Sequence, residues 1–360
     1  MTQASLVIVG GGYVGLELAQ AMQDTFDVTL VEPRYAFVHA PAMLRALIDS
    51  SVRDRALIPY AQALKTGKMV KARATEIRSD AVVVDTGEVL AADYIVLSPG
   101  ASNGGIFKPA DEGIDAFREA QAKVEGQIKQ ADRIVIVGAG AVGTELAGEI
   151  AHAFPTKQVT LISSGSSLFP SFPDKLGSGL ASKLSAMHVD LVLGQRVADL
   201  KSSTDPYAGS VTLENGTTIE ADLVIPCIGS KPQTALFDGL PGVSKSADGR
   251  VKVDGYLRPS SYPNVFAAGD AIDSGDAMTI VAASRQQPWL AKLLTALASG
   301  KSVESQKPYA PWGKAPILVP LGPEKGNSFL VIATFGDWVT RTIKGKDLFI
   351  AKYRKLLGVG

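Results

Sequence analysis

The sequence predicts an α/β fold: two successive units built on parallel strands, followed by a short C-terminal α+β module. Three observations carry that prediction. Residues 6–15 read LVIVGGGYVG and residues 134–143 read IVIVGAGAVG, so a strand running into a glycine turn occurs twice. The two clusters lie 128 residues apart (138 − 10), which repeats whole domains and not the short units of a solenoid. Each copy continues into a stretch of helical periodicity and then into a second β-branched strand, VTLVE after the first and VTLIS after the second.

In the first copy, LVIV suits a strand buried on both faces of a parallel sheet. Gly10-Gly11-Gly12-Tyr13-Val14-Gly15 then fits GxGxxG and opens the helix LELAQAMQ. Gly10 permits the tight bend, Gly12 lets a pyrophosphate approach the backbone, and Gly15 lets helix and strand pack closely. The helix N-terminus supplies free N–H groups and the positive dipole end for phosphates. VTLVE ends in Glu32, at the spacing expected of a carboxylate that accepts the ribose hydroxyls, and Arg34 follows at the same site. Strand before, helix after and acid beyond turn a common glycine pattern into a dinucleotide-binding expectation.

The second copy supplies Gly138, Gly140, Val142 and Gly143, the helix TELAGEIA, and VTLIS. The fold class is therefore two Rossmann-like dinucleotide-binding domains, with two dinucleotides bound. Laying VTLVE over VTLIS puts Ser163 where Glu32 stood. Glu32 repels a 2′-phosphate, so the first site suits a free 2′-hydroxyl. Ser163 and Ser164 neither repel a 2′-phosphate nor bring an arginine to clamp it, so NADH and NADPH both suit the second site.

Three further stretches arrange the chain. YIVLSPG, ending at Gly100, is a strand leading out of the first domain, and LVIPCIGSKP, around Gly229, is its counterpart in the second. NVFAAGD is a strand ending at Asp270, followed by a helix starting near Thr279. The expected map is a first domain from residues 1–105 and 240–300, a second from 106–239, and a module over 301–360 entered through the polar linker ASGKSVESQKP. That module opens with the strand-like runs ILVPLG and FLVIATFG.

Composition bounds the function. The chain has 360 residues, 46% of them hydrophobic, with 36 Lys plus Arg against 36 Asp plus Glu. That is a globular chain with no global charge drawing it to nucleic acid. Cys227 is the single cysteine and sits in an apolar run, so a disulfide relay is excluded and a reducing, cytoplasmic setting is expected. A strand begins almost at Met1, leaving no room for a cleavable signal, and no apolar run reaches the roughly 20 residues of a membrane span. Thr2 stands where N-myristoylation needs glycine. His39, His152 and His188 lack metal-ligand spacing, so no metal is expected.

These linked motifs resemble the pyridine-nucleotide-disulfide-reductase superfamily of two-domain flavoproteins over residues 5–300. The resemblance implies FAD in the first site, Asp270 on its ribityl chain, and the helix after Thr279 aimed at the flavin's pyrimidine carbonyl. A closer likeness lies in EPRYAFVHAPAMLRAL, residues 32–47, with its Phe37-Val38-His39 element and Leu44-Arg45-Ala46 triplet, and in SQKPYAP and IKGKDLFIAKYRK further on. These stretches resemble the ferroptosis-suppressor (apoptosis-inducing-factor-like mitochondrion-associated) quinone reductases and their plant and fungal homologues.

That likeness implies FAD-dependent NAD(P)H:quinone oxidoreduction. It also implies FAD contact by Arg45, backbone bonds from Ala72 to adenine, and a place for His39 beside the flavin, as quinol proton donor or as packing. By analogy with type II NADH dehydrogenases, Glu149 would sit near nicotinamide and flavin, where the alternative is a solvated helix-face carboxylate. Two other readings stay open: a reductase feeding a ferredoxin or rubredoxin, and a redox-sensing interaction protein resembling apoptosis-inducing factor. Monomer and homodimer are both compatible with the sequence. Residues 336–360 carry six basic and two acidic side chains interleaved with aromatic and aliphatic ones. That pattern suits either peripheral contact with an anionic membrane or packing of the module on the rest of the chain.

Overall fold

The computed structural model describes residues 3–102, 105–109 and 113–359; Thr2 lies outside the described residues. Along the chain run β1 (Ser5–Val9), α1 (Tyr13–Met22), β2 (Asp27–Val31), β3 (Lys68–Val70) and β4 (Tyr94–Leu97). There follow α2 (Ile114–Gln130), β5 (Arg133–Val137), α3 (Ala141–Ala153), β6 (Gln158–Ser163), α4 (Asp174–Ala186), β7 (Val189–Leu193) and β8 (Leu223–Pro226). Then come β9 (Val265–Ala267), α5 (Ile280–Ala298), β10 (Ile317–Leu321), β11 (Lys325–Phe329), β12 (Thr334–Phe335) and α6 (Ile350–Leu356).

The first sheet has the order β9-β4-β1-β2-β3 and is parallel throughout. Its central strand is the LVIV run, with Leu6, Val7, Ile8 and Val9 all buried because sheet neighbours and helices cover both faces. β9, which leads to Gly269 and Asp270, pairs with β4 although the whole second sheet intervenes in sequence. The second sheet, β7-β6-β5-β8, is again parallel. The chain passes between the two through a two-stranded antiparallel ribbon, Ala101 opposite Pro232 and Ser102 opposite Lys231. Gln233 N–H also donates to the Gly100 carbonyl at 2.9 Å.

The C-terminal module is the antiparallel sheet β10-β11-β12 with α6 beyond it, and β10 packs on α3. Here the sequence reading needs correction. FLVIATFG is not one strand: Phe329 ends β11, and the chain reverses through Leu330–Ala333, with Leu330 N–H donating to Ala333 O at 3.0 Å. Val331 takes a positive φ of 68°, which leaves Ile332 pointing into solvent. The strand KGNSF satisfies the ladder instead because β10 and β11 close a tight hairpin at Leu321–Lys325.

The basic tail is mostly structural. Leu348, Ile350, Tyr353 and Leu357 are buried, while Trp338, at 77% exposure, and Ile343 are not. Burial of this kind contributes roughly 1.5–3 kcal/mol per large apolar side chain. No helix among the described residues is long and apolar enough to cross a membrane.

Candidate functional site

The first glycine turn is shaped by contacts no other residue tolerates. Gly10 has φ +96°, and a Cβ there would meet the Ser98 carbonyl oxygen at 2.3 Å. A Cβ on Gly15 would meet the Gly10 oxygen at 1.8 Å, so α1 lies hard against β1. Gly12 caps α1 without a side-chain bond, has open space where a Cβ would be, and no acid occupies the first turn. Gly12, Tyr13 and Val14 therefore present an uncapped helix start to a cavity of about 1050 Å³, which Gly10 also lines with its N–H already given to Val31 O at 2.9 Å.

Glu32, buried at the end of β2, also lines this cavity. Its carboxylate accepts from Gly11 N–H at 2.8 Å and from Arg34 through the backbone N–H (3.0 Å), Nε (2.7 Å) and Nη2 (3.0 Å). Burial works against the Arg34 charge, but hydrogen bonding to Glu32 outweighs it and holds the guanidinium's pKa above its ordinary value. Ala72 reaches the cavity from the link after β3, not from a strand, and its N–H is already given to Val70 O at 3.0 Å. Its carbonyl is the backbone group left to meet the adenine that the family likeness places there.

Gly100, Asp270 and Thr279 complete this wall. Asp270 is 3.2 Å from Lys108 Nζ, and the adjacent Gly269 N–H donates at 2.7 Å to Gln286, which is itself buried. Thr279 is the N-cap of α5, its hydroxyl accepting from Ala282 N–H at 3.2 Å, and Thr279 and Ile280 line the cavity at the start of that helix.

The second turn reproduces the first. Gly138 has φ +106°, with a Cβ meeting Cys227 O at 2.6 Å, and a Cβ on Gly143 would meet Gly138 O at 1.9 Å. Gly140 caps α3 without a side-chain bond. Val142 reaches the same cavity, as does Ser230 beside Gly229, whose φ is +66°. Ser163 ends β6, and its hydroxyl accepts from Gly165 N–H at 3.1 Å. Cys227 is outside the cavity wall, and burial pushes its thiol well above the ordinary range.

The charged residues fall differently from the expectation. Glu149 is neither at the cavity nor solvated. It is buried and takes a two-pronged bond from Arg45, Nε at 2.9 Å and Nη2 at 2.7 Å. Arg45 also donates to Gly345 O at 2.8 Å. Neither side chain lines the cavity, and Arg45, expected at the flavin, clasps three parts of the chain together.

One helical turn earlier, Glu145 does line the cavity, paired with Lys344 Nζ at 2.6 and 2.9 Å. Burial raises the Glu145 pKa, with Lys344 opposing the rise. Lys344 stands on a π-helical turn, Arg341–Gly345, and its Nζ also donates to Leu318 O at 3.1 Å. The sequence placed both within TELAGEI and IKGKDLF, but only tertiary packing shows which acid of the helix turns inward.

His39 is fully buried and does not line the cavity. The Leu348 carbonyl can only accept, so it fixes the proton on Nε2, and Nδ1 accepts from Tyr13 O–H at 3.1 Å. Burial lowers its pKa to about 4, the Leu348 bond opposing. Of the two roles left open for His39, the geometry is that of packing and of orienting Tyr13.

Residues 1–100 and 27–287 match the family described as pyridine nucleotide-disulphide oxidoreductase. The chain belongs to that family. Apoptosis-inducing factor homolog B of Dictyostelium discoideum is 31% identical over 97% of this chain and 95% of its own length. Ferroptosis suppressor protein 1 of Homo sapiens is 27% identical over 96% of this chain and 94% of its own. Among solved structures, the sulfide:quinone oxidoreductase of Aquifex aeolicus superposes with a TM-score of 0.77 at 16% identity, over 98% of this chain and 91% of that one. Family membership makes the chain an FAD-dependent oxidoreductase working with NAD(P)H. The two glycine turns, the uncapped helix starts and the buried Glu32 fit both nucleotides.

Proposed function

We propose that the protein passes hydride from NAD(P)H to FAD and then electrons to a quinone. The observation that carries this reading is one shared cavity, lined by both glycine-turn helices and by Glu145 and Lys344, with no thiol on its wall. FAD, when bound, takes up the hydride and releases an electron pair to the acceptor. The quinone gains two electrons and two protons; one proton comes with the hydride and the second from solvent. Glu145, whose burial favours its protonated form, is suited to hold that second proton beside Lys344. Leu44, Phe107, Val142 and Ile280 offer apolar surface for a flat acceptor and exclude water.

In this reading FAD occupies residues 1–105 and 240–300, with Gly10 to Gly15, Glu32, Gly100, Asp270 and Thr279 as contacts. NAD(P)H occupies residues 106–239 through Gly138, Gly140, Val142, Gly143, Ser163 and Gly229. The exposed Trp338 and Ile343, near Arg341 and Lys346 in the chain, support peripheral contact with an anionic leaflet where hydrophobic quinones dwell. The deciding experiment is stopped-flow reduction of the purified flavoprotein by NADH and NADPH, followed by reoxidation with a quinone panel and with ferredoxin. Rapid reoxidation by quinones alone supports the proposal. Preference for ferredoxin, or a long-lived reduced complex with every acceptor, overturns it.

A further inference from the structure

We infer that Arg196 recognises the 2′-phosphate of NADPH, an inference resting on the reading that the second glycine turn holds NAD(P)H. In doubly wound sheets the adenosine ribose lies at the carboxyl end of the second strand, here Ser163 on β6. β7 pairs with β6 so that Leu193 stands opposite Ser163. The chain then turns at Gly194, with φ +69°. Gln195 N–H donates to Ser163 O at 3.0 Å and Gly194 N–H to Gly165 O at 2.9 Å. These two bonds clip the β6 and β7 loops together and leave Arg196 as the next residue beyond the clip.

The Arg196 side chain is uncommitted in a way that Arg34 is not. It is 69% exposed, and its ion pair with Glu214, itself 62% exposed, is a single contact of 3.7 Å. Solvent screens such a pair, and a better anion displaces the carboxylate at little cost. Arg34, by contrast, is locked onto a buried acid at 2.7 Å. A 2′-phosphate at Ser163 would meet a guanidinium able to donate two parallel bonds. It would also meet the Ser163 hydroxyl, which accepts from Gly165 and keeps its own proton to donate, and the exposed Ser164. NADH lacks the phosphate and gains nothing from Arg196.

The test compares kcat/KM for NADPH and for NADH in the holoenzyme, together with calorimetric binding of adenosine 2′,5′-bisphosphate. Arg196→Glu is expected to lower the NADPH-to-NADH ratio and to weaken bisphosphate binding, each by about tenfold or more. Arg196→Lys should recover part of both, and Glu214→Gln should raise the ratio by freeing the guanidinium. Parallel loss for the two nucleotides in Arg196→Glu, or a flat ratio in it and in Glu214→Gln, overturns the assignment. If neither nucleotide reduces the wild-type flavin, the functional reading fails, and the bisphosphate titration still decides on Arg196.

Discussion

The two glycine turns have nearly the same backbone and use their charges in opposite ways. Gly10 and Gly138 share a positive φ, and each is pressed against the carbonyl after a neighbouring strand. In the first unit the acid and its cation are two residues apart, Glu32 and Arg34, and stay beside the ligand groove. In the second unit the groove acid is replaced by Ser163, and the helix acids reach to distant segments: Glu145 to Lys344 and Glu149 to Arg45. Glu17 is the repeat partner of Glu145 (145 − 17 = 128), and it too finds a C-terminal lysine, Lys352, but at 3.8 Å and with more solvent. A duplicated turn thus keeps its backbone, while the charges around it diverge, paired beside the groove in one copy and with distant segments in the other.

The largest effect should come from breaking the cohesive side. Arg45→Ala leaves Glu149 buried without a cation, and denaturant titration should show a loss of about 3–5 kcal/mol. Arg34→Ala, whose partner borders an open cavity, should cost distinctly less; equal losses would erase the contrast. Next in size is acid sensitivity in the first unit. His39 has an ordinary pKa near 6.5 and is held to about 4 by burial, so the unfolded chain takes up its proton first as pH falls. Stability is therefore fully present above 6.5 and declines between there and about 4, by roughly 3 kcal/mol. His39→Phe should flatten that part of the pH profile measured by chemical denaturation.

Glu145→Gln should slow acceptor reduction by about 10²-fold with flavin still bound, read by stopped-flow absorbance. Retained rates would mean that Glu145, like Glu149, serves only cohesion. The smallest effect sharpens the difference in specificity. Ser163→Glu restores the first unit's carboxylate in the second and should disfavour NADPH against NADH by about tenfold, measured as a ratio of kcat/KM.

The repeated units were legible because glycine spacing, strand hydrophobicity and helix onset are local: β1, α1, β5, α3 and β9 all lie where their motifs are. The start of α5 at Thr279 was legible for the same reason, since an N-cap threonine announces itself. What escaped depends on packing between remote segments. Nothing within TELAGEI says that Glu145 and not Glu149 meets the cavity, because that depends on where Lys344 and Arg45 arrive. Arg196 escaped because it lies outside the motif, in the loop after β7 that backbone bonds bring to the end of β6. FLVIATFG misled because its hydrophobicity matches a strand while a left-handed Val331 breaks it.

The ribbon at Ala101–Ser102 and Lys231–Pro232 bears on how such a chain reaches its native state. β4 and β9 are neighbours in the first sheet, yet an entire second sheet is threaded between Leu97 and Val265. Closing a flexible loop of that length carries an entropic cost that grows with the logarithm of its size and slows non-local pairing. Once the inserted segment has folded and its ribbon has zipped, its two ends are already side by side. The search left for β9 is then that of the short stretch from Gln233 onward. With the ribbon zipped, the loop that pairing β9 with β4 must close is the shorter one from Gln233, and its entropic cost falls accordingly.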